Sequence, residues 1–432
     1  MRTTTMIQET TYNAESAACR KAAWRFIPLL ALAYFINYLD RTNVGFAALT
    51  MNRDLGLTAS QFGFAAGIFY VGYCLFEVPS NLALYKFGAR RWLARIMITW
   101  GVFAAATSLA RGPASYAALR MLAGIGEAGF FPGVIFYLTL WFPPQYRTRM
   151  MAWFLSAVPL SSVFSGPLSI AMLKLEGVLN LHGWQWLFIL QGLPACVLGL
   201  LCLYVLTDSP EKARWLSPQE REALCAAIAR GSARNAERHF GNALKDWRVW
   251  MLTAILFSYI IGILGIGVWL PTILKAHHLS DFQIGLLSAL PYIVGSVAML
   301  IWGRVLARSQ RYVKHLAWTC GIAAVGFFCS VASGSLVPAL LGITVAVIGL
   351  SSVRTCFYSV PSTFLGREAA AGGLAVINAV GSLGGLIGPY MVGWLRDVTG
   401  SFNAGLIGMG AMLAVATVLT IVLSVLTQEK KA

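Results

Sequence analysis

Charge is what this chain has least of. Only 12% of its 432 residues are charged, against about 25% in a soluble domain. That excludes an ordinary water-facing globule. Acidic side chains are rarer than basic ones, 17 against 33, giving a formal charge of +16. The eight cysteines, at 19, 74, 196, 202, 225, 320, 329 and 356, include no Cys-x-x-Cys pair. Six of them fall in apolar runs, so they read as small packing residues and not as disulfide partners or metal ligands. The five histidines, at 182, 239, 277, 278 and 315, fall in or near loops. His277 and His278 are adjacent on a loop, an arrangement that chelates poorly. There is no Walker loop, no zinc-ligand spacing and no Ser-His-Asp arrangement. No enzyme, no ATP-driven machine and no bound cofactor is expected.

Apolar sequence is abundant instead. Hydrophobic residues make up 58% of the chain, and the mean hydropathy is +0.69. A spanning helix needs ~20 apolar residues. Twelve runs qualify, near 26–46, 59–84, 93–111, 114–141, 149–173, 185–206, 248–270, 282–306, 313–333, 335–363, 370–393 and 402–426. The expected fold is an all-α membrane protein, with twelve transmembrane helices in two pseudo-symmetric six-helix bundles at 26–207 and 248–427. Tails at 1–25 and 428–432 and a central loop at 208–247 complete the division. Residues 1–25 are polar and Thr-rich, and the first apolar run is too long for a signal-peptide core. With an interior amino terminus, 25 of the 33 Lys and Arg fall on interior segments, five on exterior ones and three inside runs. That is the positive-inside pattern, with both termini cytoplasmic. The basic excess sets topology and implies no nucleic-acid partner.

The halves echo one another. Gly166-Pro167 lies in the fifth run and Gly388-Pro389 in the eleventh, the same place in each half. Basic loops follow the second run of each half, at 86–91 and 303–308. Parallel six-helix repeats are a transporter signature. Between the halves, Ser217-Pro218-Gln219-Glu220 is a capping box. It predicts a short surface helix with Leu224, Ala227 and Ile228 on one face.

Polar residues inside the runs carry the function. Asp40 and Arg41 are the only charges between Phe26 and Phe46. A charge near the bilayer centre costs at least ~2.5–3.5 kcal/mol on insertion scales, so the pair is either functional or a neutralised packing contact. Tyr34, Asn37, Tyr38 and Arg41 follow i, i+3, i+4, i+7 spacing and share a face that should meet a cavity. Arginine suits a carboxylate because its planar fork bonds both oxygens. In the fourth run, Arg120 and Glu127 are seven apart and share a face. Counting from an outer end at Phe46, Asp40 and Arg120 both lie ~9 Å deep and can pair, with Glu127 deeper. Such carboxylates form a proton relay or a static ion-pair network. Gly124, Gly126 and Gly129 spell Gly-x-Gly-x-x-Gly, but no strand precedes them. They read as helix-packing glycines and not as a dinucleotide motif. In the second run, Tyr70, Tyr73 and Glu77 share a face, Glu77 serving an inner gate or a ligand. Arg354 lies mid-run; it holds a second anionic group of a ligand or pairs with an unseen carboxylate. Asn378 is a ligand contact or a plain buried amide.

The stretches NYLDRTNVGFA, EVPSNLALYKFGARRW, RMLAGIGEAGFFPG, DSPEKARWLSPQE, LPTILKAHHLSDFQIGLLSALPY and GLAVINAVGSLGGLIGPYMVGW resemble the major facilitator superfamily. Within it, they resemble the anion:cation symporter branch of phthalate, tartrate, hydroxyphenylacetate and sugar-acid permeases. The resemblance runs nearly end to end and implies proton-coupled uptake of an organic anion by alternating access in a bacterial inner membrane. It matches Asp40 and Glu127 to a protonatable pair, with Arg120 beside them. It matches Arg41, Tyr73, Thr355, Tyr358 and Asn378 to substrate-facing positions, with Asn37 on the same stripe. Gly88, Arg90 and Arg91 match the cytoplasmic loop motif, with Glu77, near the inner end of its run, beside the gate. There are departures. Val158 replaces a ligand-facing Gln, which argues against a polyhydroxylated substrate. Tyr85 and Ala307 stand where the loop motif of each half has Asp, which weakens the inner latch.

The expectation is a monomeric symporter with the proton as coupling ion, carrying an aromatic carboxylate or a dicarboxylate. The rivals are an exporter of amphipathic or cationic compounds, a sugar-acid symporter, and a transporter-like receptor. The exporter predicts an acidic cavity, and the receptor an added domain for which the central stretch is too short.

Overall fold

The computed structural model describes residues 2–232, 246–309, 311–332, 334–360 and 376–428. Twelve helices in it are long and apolar enough to cross a bilayer. They are Asn13–Asp54, Ala59–Phe87, Ala89–Leu109, Pro113–Trp141, Pro144–Leu173, Gly183–Val205, Trp247–Lys275, Asp281–Ser309, Tyr312–Ser330, Leu336–Phe357, Val376–Thr399 and Asn403–Leu426, here spans 1 to 12. No strand occurs among the described residues. An even number of crossings brings both described ends to one end of the molecule, called here the terminal end.

Span 1 differs from its expected limits at both ends. The helix continues through the polar segment before Phe26 and runs on to Asp54, eight residues past the expected end. Arg41 is therefore ~12 Å deeper than counting from Phe46 implied. Spans 4 and 5 are each broken. Span 4 stops at Glu127 and restarts at Phe130, with Gly129 at φ 87° in the left-handed region that disfavours any side chain. Span 5 consists of Pro144–Leu155 and Ala157–Leu173, joined at Ser156. The basic residues Arg234, Arg238, Lys245, Arg367, Lys430 and Lys431, and His239, lie outside the described residues.

The central helix Pro218–Ser232 has its capping box. Glu220 accepts from the Ser217 amide at 2.9 Å, and Ser217 Oγ accepts from the Glu220 amide at 3.2 Å. Leu224 and Ala227 are buried, and Ile228 packs against the core of the first half. Lys21 Nζ meets Glu220 at 2.7 Å, pinning this helix to the start of span 1. Burial pushes the Glu220 carboxyl up, but the Lys21 ammonium and the Ser217 amide outweigh it and hold it below the usual carboxylate range.

The halves meet away from the terminal end. Span 2 packs on span 11, span 5 on span 8 and span 1 on span 7. A Cβ on Gly63 would strike the Pro389 carbonyl, and one on Gly166 the Gly285 carbonyl. Both Gly-Pro steps thus sit where backbones of opposite halves touch. Asp397 of span 11 caps span 2 across this interface. It accepts from the Ala59 amide at 3.1 Å, the Ser60 amide at 2.8 Å and the Ser60 hydroxyl. A carboxylate at a helix N-terminus meets orphan amides and the positive end of the dipole. Nothing comparable joins the halves at the terminal end among the described residues. Asp397→Ala is therefore expected to loosen the distal contact and populate the opposite conformation. Spin-label distances across the distal ends of spans 2 and 11 should lengthen; unchanged distances would show that the cap holds nothing.

Candidate substrate and proton site

Between the halves lies a cavity of ≈ 280 Å³. Its wall carries Arg41 from span 1 and Arg354 from span 10, with Tyr38, Tyr70, Tyr73, Tyr259, Tyr292 and Tyr358 around them. Ser162, Ser296, Ser351 and Ser382 add hydroxyls, and Val158 lies on the same wall. Among the described residues, no Asp or Glu lines it.

Arg41 is not free. Its Nε donates to Glu127 Oε1 at 2.8 Å, and Nη2 closes on the same oxygen. The pairing follows from helix direction. Side chains lean toward the N-terminus of their helix, so Arg41 leans toward the terminal end and Glu127, on an oppositely directed span, leans toward the distal end. Counted from the observed distal ends at Asp54 and Pro113, the two Cα atoms are nearly level. Glu127 is 1% exposed at its side chain and Arg41 20%, so the carboxylate is sealed while the guanidinium reaches the cavity. Tyr73, Phe69 and Tyr38 surround the guanidinium, with centroids 5.1, 5.6 and 5.8 Å away.

The expected Asp40–Arg120 pair does not form. Trp100 Nε1 donates to Asp40 Oδ2 at 2.6 Å, and Asn43 Nδ2 lies 3.5 Å from Oδ1. Arg120 lies over the Phe69 ring at 4.9 Å, and its Nε has no hydrogen-bond partner among the described residues. The extra length of span 1 is the reason: Asp40 sits about ten ångströms deeper than Arg120. Arg120 and Glu127 share a helix face but serve different neighbours.

The stripe on span 1 also splits. Tyr38 and Arg41 reach the cavity, while Tyr34 stacks on Phe154 at 4.5 Å and Phe131 at 5.7 Å. Asn37 is buried, and both its amide atoms lack partners among the described residues. At about 100° per residue, Asn37 is turned ~60° from Tyr34 toward Asp40, away from the cavity.

In the second half, Arg354 Nη1 donates to Tyr38 OH at 3.1 Å, bridging the halves. No carboxylate among the described residues pairs with Arg354. Tyr358 lines the cavity and donates to Asn378 Oδ1 at 3.3 Å, so Asn378 stands behind it. Thr355 is not on the cavity wall. Glu77 is half-buried and has no ion-pair partner among the described residues. Gly88, Arg90 and Arg91 lie at the terminal end, where Asp208 Oδ1 accepts from the Arg90 amide at 3.0 Å. Gly124 packs its backbone on Phe69 and Gly126 on Trp100, as helix-packing glycines should. Residues missed as site candidates are Tyr259, Tyr292 and Trp100. The two tyrosines are isolated phenols in apolar runs, which was the available signal; Trp100 gave none.

The Major Facilitator Superfamily profile matches residues 30–389. A protein of Agrobacterium vitis whose name assigns it to tartrate transport is 44% identical over 95% of this chain and 96% of its own. A quinolone resistance transporter of Acinetobacter baumannii is 39% identical over 96% of this chain and 97% of its own. A bacterial homologue of the human lysosomal transporter Spinster, solved inward-facing and occupied, superposes with a TM-score of 0.74 at 18% identity, covering 92% of this chain and 96% of that one. The chain belongs to the Major Facilitator Superfamily and is a multi-pass secondary transporter.

Proposed function

We propose that the protein takes up a small dicarboxylate together with protons. The observation that carries this is the pair of guanidinium groups, Arg41 and Arg354, facing one cavity from opposite halves, with no acid among the described residues of its wall. Two fixed cations suit a dianion, and six phenols suit its remaining oxygens or a flat ring. The A. vitis relative's name points to the same class. The quinolone resistance relative and the aromatic wall favour a second reading, an exporter of amphipathic compounds. A wall whose described residues include two arginines and no acid opposes the cationic form of that reading.

Coupling follows from competition for Arg41. The Nε–Nη2 edge of its fork is occupied by Glu127. A substrate carboxylate that takes this edge for its two-bond grip must displace Glu127. A proton on Glu127 removes its charge and releases Arg41, so proton and substrate bind together. Asp40, buried against Trp100, is the second proton carrier, with Arg120 within the same bundle setting its field. The unpartnered Asn37 amide beside it is a polar step between the two carboxyls. With the terminal end cytoplasmic, as the basic residues imply, the distal contact described above makes this the inward-facing state.

Two protons with a dianion move no net charge. Each uncompensated charge would instead be worth ~2.3 kcal/mol per 100 mV. Uptake of tartrate in proteoliposomes should therefore follow an imposed pH gradient and ignore an imposed voltage. Uptake that ignored the pH gradient would refute the coupling. Outward pumping of a quinolone without dicarboxylate uptake would favour the exporter.

A further inference from the structure

A second large concavity lies outside the cavity, at the terminal end of the first half. It is a groove of ≈ 530 Å³ between the start of span 1 and the first segment of span 5. Arg20, Trp24, Ile27 and Ala31 line it from span 1 and Arg149 and Trp153 from span 5. On span 1 the spacing is four, three and four residues, one continuous helix face. Both helices run in the same direction, so each presents arginine first and tryptophan ~6 Å deeper; on span 1, aliphatic side chains follow. Trp24 is 78% exposed and Trp153 59%, large rings with no protein cover.

Two nearby acids are engaged elsewhere: Glu15 accepts from Gln145 at 2.7 Å and meets Arg230 at 3.5 Å, and Glu220 holds Lys21. Among the described residues, none pairs with Arg20 or Arg149.

Charged mouth, aromatic collar and aliphatic depth repeat the order of a phospholipid: phosphate, glycerol ester region, acyl chain. We infer that this groove binds one anionic glycerophospholipid, with its phosphate between Arg20 and Arg149 and an acyl chain along Ile27 and Ala31. Occupancy bears on transport through span 5. Ser156, at the join of its two segments, lines the groove, and Val158, Pro159 and Ser162 on the following turns line the cavity. The bound lipid props the segment on which that wall is built.

The test uses the purified full-length protein in detergent, titrated with phosphatidylglycerol, phosphatidylcholine or soluble glycerol phosphate. Phosphatidylglycerol should raise the melting temperature, and the other two should not. Arg20→Gln with Arg149→Gln should lose that shift, while Arg20→Lys with Arg149→Lys keeps it. Equal shifts from phosphatidylcholine, a matching shift from glycerol phosphate, or a full shift in the glutamine variant would each overturn the assignment. Should the glutamine variant not fold, a photoactivatable phosphatidylglycerol on the wild type decides. Cross-links mapping to 20–31 and 149–156 support the groove, and cross-links confined elsewhere refute it.

Discussion

Arg41→Ala should abolish dicarboxylate uptake and weaken binding on the order of 10²–10³-fold. Removing one partner of a buried, hydrogen-bonded charge pair costs about 2–5 kcal/mol, and ~1.4 kcal/mol is tenfold in affinity. Arg41→Lys is the sharper variant. It keeps the charge but replaces a planar fork with a point ammonium, so a loss of roughly tenfold to a hundredfold is expected. The change also loosens the hold on Glu127, whose carboxylate now meets both guanidinium nitrogens of one edge. Binding isotherms on both variants check this. Wild-type affinity in Arg41→Lys would remove the two-bond grip from the account.

Glu127→Gln should separate binding from coupling. The neutral amide mimics the protonated carboxyl and leaves Arg41 permanently available. Affinity should then be high and less dependent on pH than in the wild type, where it rises as pH falls, because Asp40 alone still takes up a proton. Exchange of labelled for unlabelled dicarboxylate across the membrane should persist. Accumulation against a gradient, driven by protons, should fall to background. If Glu127→Gln still accumulated substrate on a pH gradient, the competition for Arg41 would not be the coupling step. Loss of exchange as well as accumulation would show that Glu127 is needed for the transport cycle itself, which also contradicts this division of labour.

Much of the architecture was legible because bilayer crossing demands long apolar runs, and those are a local property of sequence. The twelve spans, the Ser217–Glu220 box and the two Gly-Pro steps needed no knowledge of neighbours. The site was legible in its membership: Arg41, Glu127, Tyr73, Arg354 and Tyr358 stood out as polar groups in apolar helices. Its pairings were not. They depend on where span 1 ends and how the helices are turned, and a difference of eight residues moved Asp40 away from the level of Arg120. Trp100 shows the same limit. An indole in an apolar span looks like packing until the adjoining helix places a carboxylate 2.6 Å from its nitrogen. The break after Glu127 was hidden too, because Gly129 falls within a continuous apolar stretch and only its backbone angle distinguishes it from the packing glycines.

The most direct test counts the protons taken up when substrate binds. Titration calorimetry of the detergent-solubilised protein with tartrate, in two buffers of different ionisation enthalpy, gives that number without any membrane or gradient. The wild type should take up at least one proton per tartrate bound. Glu127→Gln should take up one fewer. Binding of tartrate with no net proton uptake by the wild type, or with the same uptake in both proteins, would contradict the claim that Glu127 and the substrate compete for Arg41.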